Sequence, residues 1–413
     1  MKSKWSLVAF LCAIFVVYTI DRALLGILAV PIQQETGIDN VRFGLLSAAV
    51  FWTYSVCVPF SGMLGDRLNR AKLIGFAVCL WSLMAILGGF AGGFWTLLIF
   101  VSVAICIPQT LYGPSASALI AEYHQETRTL ALSCYQAAYY TGWFLSGAAV
   151  AGVLSFFGSW RAAYFVFGGV GLILGAAFLR WSYHAGTRAP IGDSTMGRCV
   201  PTSPKIKQSL FAFFGCKTAL LCAVCYVAQV FIGYGYSAWG PKFIAQKFSL
   251  SPSVAGTGVM FSHYAAAFVA ILIAGALTDR IVKHHPRSRL LMSTAALILS
   301  IPALVVFGKA QTLPLVWLSA AWLGAMIGVI GANQFTMLFD VVPSRFRSGS
   351  IGFLNVIAGL VGSTAPIILG SLSQNRGVVG FEIGFASLAL VELIAIAALV
   401  AALFTFRNVH KVE

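Results

Sequence analysis

Apolar runs long enough to cross a lipid bilayer dominate this chain of 413 residues, of which 59% are hydrophobic and only 9% are charged. A spanning helix needs about 20 predominantly apolar residues. Such runs cover residues 6–30, 41–64, 73–91, 94–121, 128–154, 160–180, 209–238, 252–277, 288–308, 313–340, 348–372 and 383–406. A bilayer offers the backbone no water, so each run must satisfy its own hydrogen bonds as a helix. The sequence therefore predicts an all-α membrane protein with 12 transmembrane helices.

The net charge of +15 reflects the distribution of loop residues and not a surface for nucleic acid. Of the 27 Lys and Arg residues, seven lie away from the termini, the even-numbered loops and the mouth of the seventh run: Arg22, Arg42, Arg161, Lys242, Lys247, Lys309 and Arg376. Short cytoplasmic loops carry the excess of basic residues in membrane proteins. We therefore predict that both termini are cytoplasmic and that the protein lies in a bacterial inner (plasma) membrane.

Two motifs recur at nearly equal offsets, which indicates a tandem duplication of six helices. "GMLGDRLNRAK" follows the second run and "GALTDRIVKHH" follows the eighth, while "HQETRTLALS" and "VPSRFRSGSIG" follow the fourth and the tenth. Between the halves lies a polar interval rich in Pro, Gly, Ser and Thr. We predict an N-terminal six-helix bundle over 1–181, a cytoplasmic linker over 182–208 and a C-terminal six-helix bundle over 209–413.

The first of these motifs resembles the loop signature G-x-L-x-D-R-x-G-R-x-K of the major facilitator superfamily. The matching residues are Gly62, Leu64, Asp66, Arg67, Arg70 and Lys72. Asn69 stands where the family prefers glycine, and we expect it to tolerate the left-handed backbone of that glycine. The resemblance implies two pseudo-symmetric bundles that alternate in access. It also implies a gating latch that comprises Gly62, Asp66, Arg67, Arg70, Asp279, Arg280, Arg128 and Arg347; a solvated basic loop is the alternative.

Asp21 and Arg22 lie side by side within the first apolar run, "VVYTIDRALLGIL". A charge at the bilayer centre costs at least about 2.5–3.5 kcal/mol, so intramembrane charges mark functional sites. Adjacent helical residues point about 100° apart, and the two side chains cannot both face one partner. We expect one to face a central cavity and the other to meet a neighbouring helix, or a wet cavity to serve both.

The string Y-x-x-D-R-x-x-L, here Tyr18, Asp21, Arg22 and Leu25, resembles the anion:cation symporter branch of the superfamily and its spinster-like relatives. That branch implies Asp21 as the proton-coupling residue and Arg22 as the contact for an anionic substrate. A guanidinium holds a carboxylate through two parallel hydrogen bonds. The sequence departs from the branch in the fourth run, where Ser102 and Gln109 replace an arginine and a glutamate. Gln109 cannot carry a proton, so either Asp21 carries the coupling alone or the protein is not a proton symporter of the usual kind.

Further polar residues within the runs are candidates for substrate contacts. With Arg22, the predicted substrate-binding set is Tyr18, Tyr54, Gln109, Gln136, Tyr140, Gln229, Tyr236, Asn333 and Asn355. Buried amides also join helices, which is an equal alternative for each one alone. His263 is the only histidine within a predicted span and can act as a second proton-coupling residue or as a packing residue. Asp340 is expected near the cytoplasmic latch, and Glu392 has no evident role.

These features together predict a secondary active transporter of a small organic anion, a sugar acid or carboxylate, with H⁺ as the coupling ion. No catalytic residue, metal site or cofactor is predicted, because no nucleophile elbow, metal-ligand spacing or nucleotide motif is present. The alternatives are a spinster-like transporter of a lipid or amphipath, an uncoupled facilitator and, less favoured, a transport-dead sensor. A twelve-helix bundle encloses its own path, so we expect a monomer in the lipid bilayer.

Overall fold

The computed structural model describes residues 2–124, 127–184, 213–282, 285, 287–343 and 346–406, so most of the predicted linker lies outside the described residues. Within these ranges twelve helices are long and apolar enough to cross a membrane, as predicted. Spans 1 to 6 lie at Lys2–Ile27, Asn40–Arg67, Arg70–Gly88, Phe94–Tyr123, Arg128–Phe157 and Trp160–His184. Spans 7 to 12 lie at Lys217–Lys247, Pro252–Val282, Ser288–Lys309, Leu313–Phe339, Arg347–Gln374 and Gly377–Thr405.

Three spans depart from a single straight helix. A short helix at Ala29–Thr36 follows span 1, where Pro31 has no N–H to donate to the carbonyl of Ile27. Span 4 consists of Phe94–Thr96, a π-helical segment at Leu97–Ala104 and an α-helix at Cys106–Tyr123. Span 11 consists of Arg347–Gly362 and Ala365–Gln374.

The described helices form two compact units. One contains spans 1 to 6 together with Ser237–Phe261, and the other contains the remainder of spans 7 and 8 with spans 9 to 12. The boundary in span 7 falls where Pro241 cannot donate to the carbonyl of Ser237. Span 7 runs past the predicted end at residue 238, because this proline is accommodated inside the helix.

Asn69 takes a different role from the one expected. Its φ is −63°, so it does not adopt the left-handed conformation. Its side chain accepts a hydrogen bond from the backbone N–H of Lys72 at 3.1 Å and caps the N-terminus of span 3. Asparagine suits this position because its side-chain oxygen satisfies one of the unpaired N–H groups of the first turn.

Spans 1 and 5 cross closely at Gly142. A Cβ atom at this position would lie 2.8 Å from the carbonyl oxygen of Val16 and 3.0 Å from Cβ of Thr19. Small residues permit such close approach between membrane helices. The crossing brings the middle of span 1 against the polar residues of span 5.

Large apolar side chains also cover the outside of the spans. Phe156, Ile173 and Phe404 are 83%, 71% and 85% exposed. Exposure of so many apolar groups is unfavourable in water and is expected where lipid surrounds the helices. The protein is therefore an integral membrane protein.

Candidate functional site

Arg22 of span 1 lies among aromatic side chains. Its Nη1 donates a hydrogen bond of 2.7 Å to the hydroxyl of Tyr18, one turn earlier in the helix. The guanidinium carbon lies 4.3 Å from the ring centre of Tyr54 and 5.6 Å from that of Phe51, both in span 2. An arginine over aromatic rings is stabilised through its planar face. Three of the residues predicted for the substrate site, Arg22, Tyr18 and Tyr54, are therefore brought together.

Asp21 points to a different set of neighbours, as the helical geometry predicted. It is 9% exposed and lies beside the indole of Trp81 in span 3 and within electrostatic range of Tyr164 in span 6. Neither carboxyl oxygen completes a hydrogen bond to any described residue. A buried carboxylate without a partner is strongly unfavourable, whereas a neutral carboxylic acid is tolerated. This environment is suited to binding a proton.

Span 4 places further buried polar groups in the first unit. Ser102 lies in the π-helical segment, and π-helical turns occur frequently at functional sites. Its hydroxyl and both polar atoms of the Gln109 amide are buried and have no hydrogen-bond partner among the described residues. Buried polar groups are nearly always paired, so such groups indicate water or a ligand.

An aromatic cluster holds these elements in place. The hydroxyl of Tyr112 in span 4 donates to the carbonyl of Leu11 in span 1 at 2.5 Å. The rings of Trp81 and Tyr112 lie 5.7 Å apart, and Tyr18 is 5.9 Å from Trp81. The cluster fixes spans 1, 3 and 4 around the residues Asp21 and Arg22.

The other predicted contacts are dispersed. In span 5, Gln136 is exposed and Tyr140 is half-buried with its ring 5.4 Å from that of Tyr139. In the second unit, Asn333 donates to the carbonyl of Val329 at 3.0 Å, and Asn355 accepts from Tyr226 at 2.6 Å. Both amides thus join backbone or side chains of their own unit.

Gln229, Tyr236 and His263 lie in the interior of the second unit. The Tyr236 ring is fully buried and stacks on the His263 ring at 4.4 Å. Gln229 points to Glu392 of span 12. These contacts give each residue a protein partner, and a role in substrate binding or proton coupling stays a prediction.

The structure describes part of the predicted latch. Arg70, at the start of span 3, forms an ion pair with Glu122 near the end of span 4. Arg280 is exposed at the end of span 8. The side chains of Asp66, Arg67, Asp279, Arg128 and Arg347, and the surroundings of Gly62, lie outside the described residues. Asp340 pairs with Arg289 of span 9, with Nη1 at 2.7 and 2.8 Å from its carboxyl oxygens.

Sequence reasoning missed a buried lysine. Lys242 is 6% exposed, and its ammonium donates to the side-chain oxygens of Gln33 and Asn40, the latter at 2.6 Å. It also lies 5.3 Å from the ring of Trp239. The residue was seen only as one basic residue among many. Because a proline is typical of a helix end, the sequence does not indicate that span 7 continues through Pro241 as far as Lys242.

A second cluster that the sequence did not reveal fixes the short helix Ala29–Thr36. Arg161 and Trp160 at the start of span 6 both donate to the carboxylate of Glu35, Trp160 at 2.5 Å. These hydrogen bonds, the one from Arg161 first, lower the pKa of Glu35 below its ordinary value of 4.5. The helix is thereby tied to span 6 by a charge pair.

Twelve helices of the described residues are long and apolar enough to cross a membrane, and one of them carries a buried aspartate beside an arginine, which is typical of a membrane transporter. The profile of the Major Facilitator Superfamily matches residues 10–366 and 219–413. The chain belongs to the Major Facilitator Superfamily.

Individual relatives are distant in sequence. The chain is 23% identical to Protein spinster of Drosophila melanogaster over 90% of its own length, and it spans 62% of that protein. It is 22% identical to the probable galactarate/D-glucarate transporter of Bacillus subtilis, over 91% of this chain and 86% of that protein. A crystal structure of a bacterial homologue of the human lysosomal transporter Spinster, inward-facing and unoccupied, superposes with a TM-score of 0.80, at 20% identity and 98% coverage of both chains.

Proposed function

We propose that this protein is a secondary active transporter that moves a small organic anion, a sugar acid or carboxylate, across a bacterial inner membrane. Transport is coupled to a proton on Asp21. The relatives that transport galactarate or D-glucarate support the substrate class, and the basic-residue distribution supports cytoplasmic termini. The single observation that carries the proposal is the placement of Arg22 and Asp21 at one level of span 1, facing different neighbours.

Arg22 is suited to hold the substrate's carboxylate. Its guanidinium carbon lies over the Tyr54 ring at 4.3 Å from the ring centre, and this cation–π contact stabilises the charge. The hydrogen bond to Tyr18 fixes the side-chain torsions before any ligand arrives. A positioned guanidinium loses less conformational freedom on binding, so affinity increases. The aromatic side chains around Arg22 also exclude water from the contact between its guanidinium and the substrate's carboxylate. This strengthens the electrostatic attraction between the two groups.

Asp21 is suited to bind and release the coupling proton. Its carboxyl group is buried without a hydrogen-bond partner among the described residues, so its charged form becomes tolerable only when water or a cation reaches it. A cycle that alternately hydrates and dries this position therefore alternately releases and binds a proton.

The experiment is uptake of radiolabelled galactarate, D-glucarate and related carboxylates into proteoliposomes. Arg22→Ala is expected to abolish uptake at normal expression, and Arg22→Lys to retain the charge but lose the two-point hydrogen bonding. The exposed Arg376, which precedes span 12, supplies the matched control, and Arg376→Ala is expected to retain uptake. Undiminished uptake by Arg22→Ala would contradict the anchoring role.

An uncoupled facilitator is the second candidate, because Gln109 and Ser102 stand where the related branch has charged residues. In that case uptake of the same anions proceeds equally with and without a proton gradient. A carrier of amphipaths, favoured by the apolar rings around Arg22, would instead transport labelled lysophospholipids in the same vesicles and reject the sugar acids.

A further inference from the structure

Glu392, in the middle of span 12, is the most deeply buried acid among the side chains that the structure describes, with no exposed surface. It lies in the second unit, whereas Asp21 belongs to the first. Nothing in the proposed transport step uses it. A glutamate in mid-membrane is unfavourable, and residues of this kind usually carry a function.

Two side chains from other spans donate to this carboxyl group. The hydroxyl of Ser300 in span 9 lies 3.0 Å from Oε1 and 2.7 Å from the carbonyl oxygen of Leu297, and these two acceptors share its one proton. The amide nitrogen of Gln229 in span 7 lies 3.4 and 3.3 Å from the two carboxyl oxygens. The amide oxygen of Gln229 is buried and has no hydrogen-bond partner among the described residues. Glu392 therefore joins spans 7, 9 and 12 through an incomplete network.

The elements packed around Glu392 bring no cation to it within the described residues. Span 9 carries its charges at its ends, on Arg289 and Lys309, and Arg289 pairs with Asp340. The second helix of span 11, Ala365–Gln374, contains no ionisable residue. Span 7 brings the buried thiol of Cys225, which lies within electrostatic range of Glu392. The carboxyl group thus faces one neutral titratable group and no counter-charge.

Tyr236 and His263 are the next titratable groups along the same helix faces. Tyr236 lies seven residues after Gln229, and Phe385 lies seven residues before Glu392. The rings of Tyr236 and Phe385 are 6.4 Å apart. The same faces of spans 7 and 12 therefore stay in contact over two helical turns, from Gln229 and Glu392 to Tyr236 and Phe385. His263 stacks on Tyr236 at the second of these contacts.

A neutral carboxylic acid completes this network, whereas a carboxylate does not. A protonated Glu392 has an O–H donor that the carboxylate lacks, and the Gln229 amide beside it has a buried oxygen without a donor among the described residues. An ionised Glu392 accepts only, and the amide oxygen of Gln229 then stays without a donor. Buried polar networks stabilise a structure only when every member is satisfied.

We infer that Glu392, with Gln229 and Ser300, is a second proton-binding site, separate from Asp21. The proton comes from water. When it is bound, the hydrogen bonds of the protonated Glu392 hold span 7 to spans 9 and 12. When the proton leaves, the amide of Gln229 loses its donor and this connection weakens. Gly233 and Gly235 follow within two turns of Gln229 and allow span 7 to bend there. The hydrogen bonds between Gln229 and Glu392 therefore control how readily this part of span 7 bends.

Infrared spectroscopy of the purified full-length protein tests the inference directly. The wild-type protein near neutral pH is expected to show the carbonyl band of protonated carboxylic acids, and Glu392→Gln is expected to lose the component of this band that belongs to Glu392. Glu382→Gln, a matched change nearer the start of span 12, is expected to keep the band. Asp21→Asn is also expected to retain the component that belongs to Glu392.

Loss of carboxylate bands instead of the acid band in Glu392→Gln would overturn the inference. If that variant does not fold, Gln229→Leu and Ser300→Ala each remove one partner and are expected to shift the frequency of the band. An unchanged frequency in both would equally contradict the site.

A second readout rests on the proposed function. The rate of anion uptake by the wild-type protein is expected to fall in alkaline solution because both Asp21 and Glu392 lose their protons there, and Glu392→Gln, which mimics the protonated form, is expected to show a smaller fall. Infrared measurement needs no substrate, so a failure of the proposed transport activity leaves the test of the proton site intact.

Discussion

At the residue scale, two adjacent side chains of span 1 contact different neighbours. Arg22 is held by Tyr18 and stacked on Tyr54, and Asp21 lies beside Trp81. A local difference of about 100° between neighbouring helical positions separates the two environments. In the proposed function, this separation keeps the substrate's charge at Arg22 apart from the coupling proton at Asp21.

Removal of the hydroxyl of Tyr18 tests whether Arg22 is positioned in advance. A hydrogen bond to a charged group contributes about 1.5–3 kcal/mol, and 1.4 kcal/mol corresponds to about a tenfold change in affinity. Tyr18→Phe is therefore expected to raise the KM of anion uptake about tenfold at constant protein level. Tyr183→Phe, at the exposed end of span 6, serves as the control, and equal KM values in all three proteins would exclude the positioning role.

At the element scale, close helix crossings and short tethers position the site. Span 1 packs on span 5 at Gly142, and the short helix that follows span 1 is tied to span 6 through Glu35. These contacts fix both the middle and the end of span 1. The orientation of Asp21 and Arg22 depends on both.

A larger side chain at Gly142 is expected to separate spans 1 and 5. Overpacking typically costs about 1–3 kcal/mol, so Gly142→Val should unfold at a lower temperature in detergent. Gly152 lies in the same span, and a Cβ there would meet no atom within 4 Å. Gly152→Val is therefore the matched control. If both variants unfold at the temperature of the wild-type protein, the close crossing does not exist.

The tether at Glu35 predicts a pH-dependent stability. Because Arg161 lowers the pKa of Glu35 in the folded protein below 4.5, its stabilisation is complete above the unfolded pKa and is lost as pH falls through the folded value. Glu35→Gln is expected to unfold at a slightly lower temperature than the wild type near neutral pH, since exposed pairs contribute little. The difference should disappear in acid. A difference that stays constant with pH would show that the charge pair does not stabilise the short helix.

Sequence reasoning predicted the large elements well and the contacts between them poorly. The twelve spans follow from apolar runs, and the different facing of Asp21 and Arg22 follows from helical geometry. The partners Glu122 of Arg70 and Gln33 of Lys242 are 52 and 209 residues away in sequence, and no local pattern encodes such pairs. The capping role of Asn69 was misjudged because the same residue type suits both a left-handed turn and an N-cap.

At the scale of the whole molecule, the distribution of basic residues predicts the orientation of the chain in the membrane. An even number of spans places both termini on one side of the membrane, and the distribution of Lys and Arg predicts that this side is the cytoplasm. This orientation defines which side of the membrane each end of the proposed transport path faces. The ion pair of Arg70 with Glu122 would then lie on the cytoplasmic side.

Reporter fusions test the predicted orientation. Alkaline phosphatase inserted after Lys247, in the loop between spans 7 and 8, is expected to be active because that loop would face the periplasm. The same reporter at residue 413 is expected to be inactive, and green fluorescent protein at that position is expected to fluoresce. The reverse pattern would place the termini outside and exchange the two sides of the proposed cycle.

The central claim, that Asp21 couples a proton to the movement of an anion, is tested most directly by uptake of labelled galactarate or D-glucarate into proteoliposomes with and without an inward proton gradient. We predict that the gradient stimulates uptake by the wild-type protein and that Asp21→Asn, which cannot release a proton, loses the stimulation while it still binds the anion. Uptake that is the same with and without the gradient in the wild-type protein would contradict proton coupling.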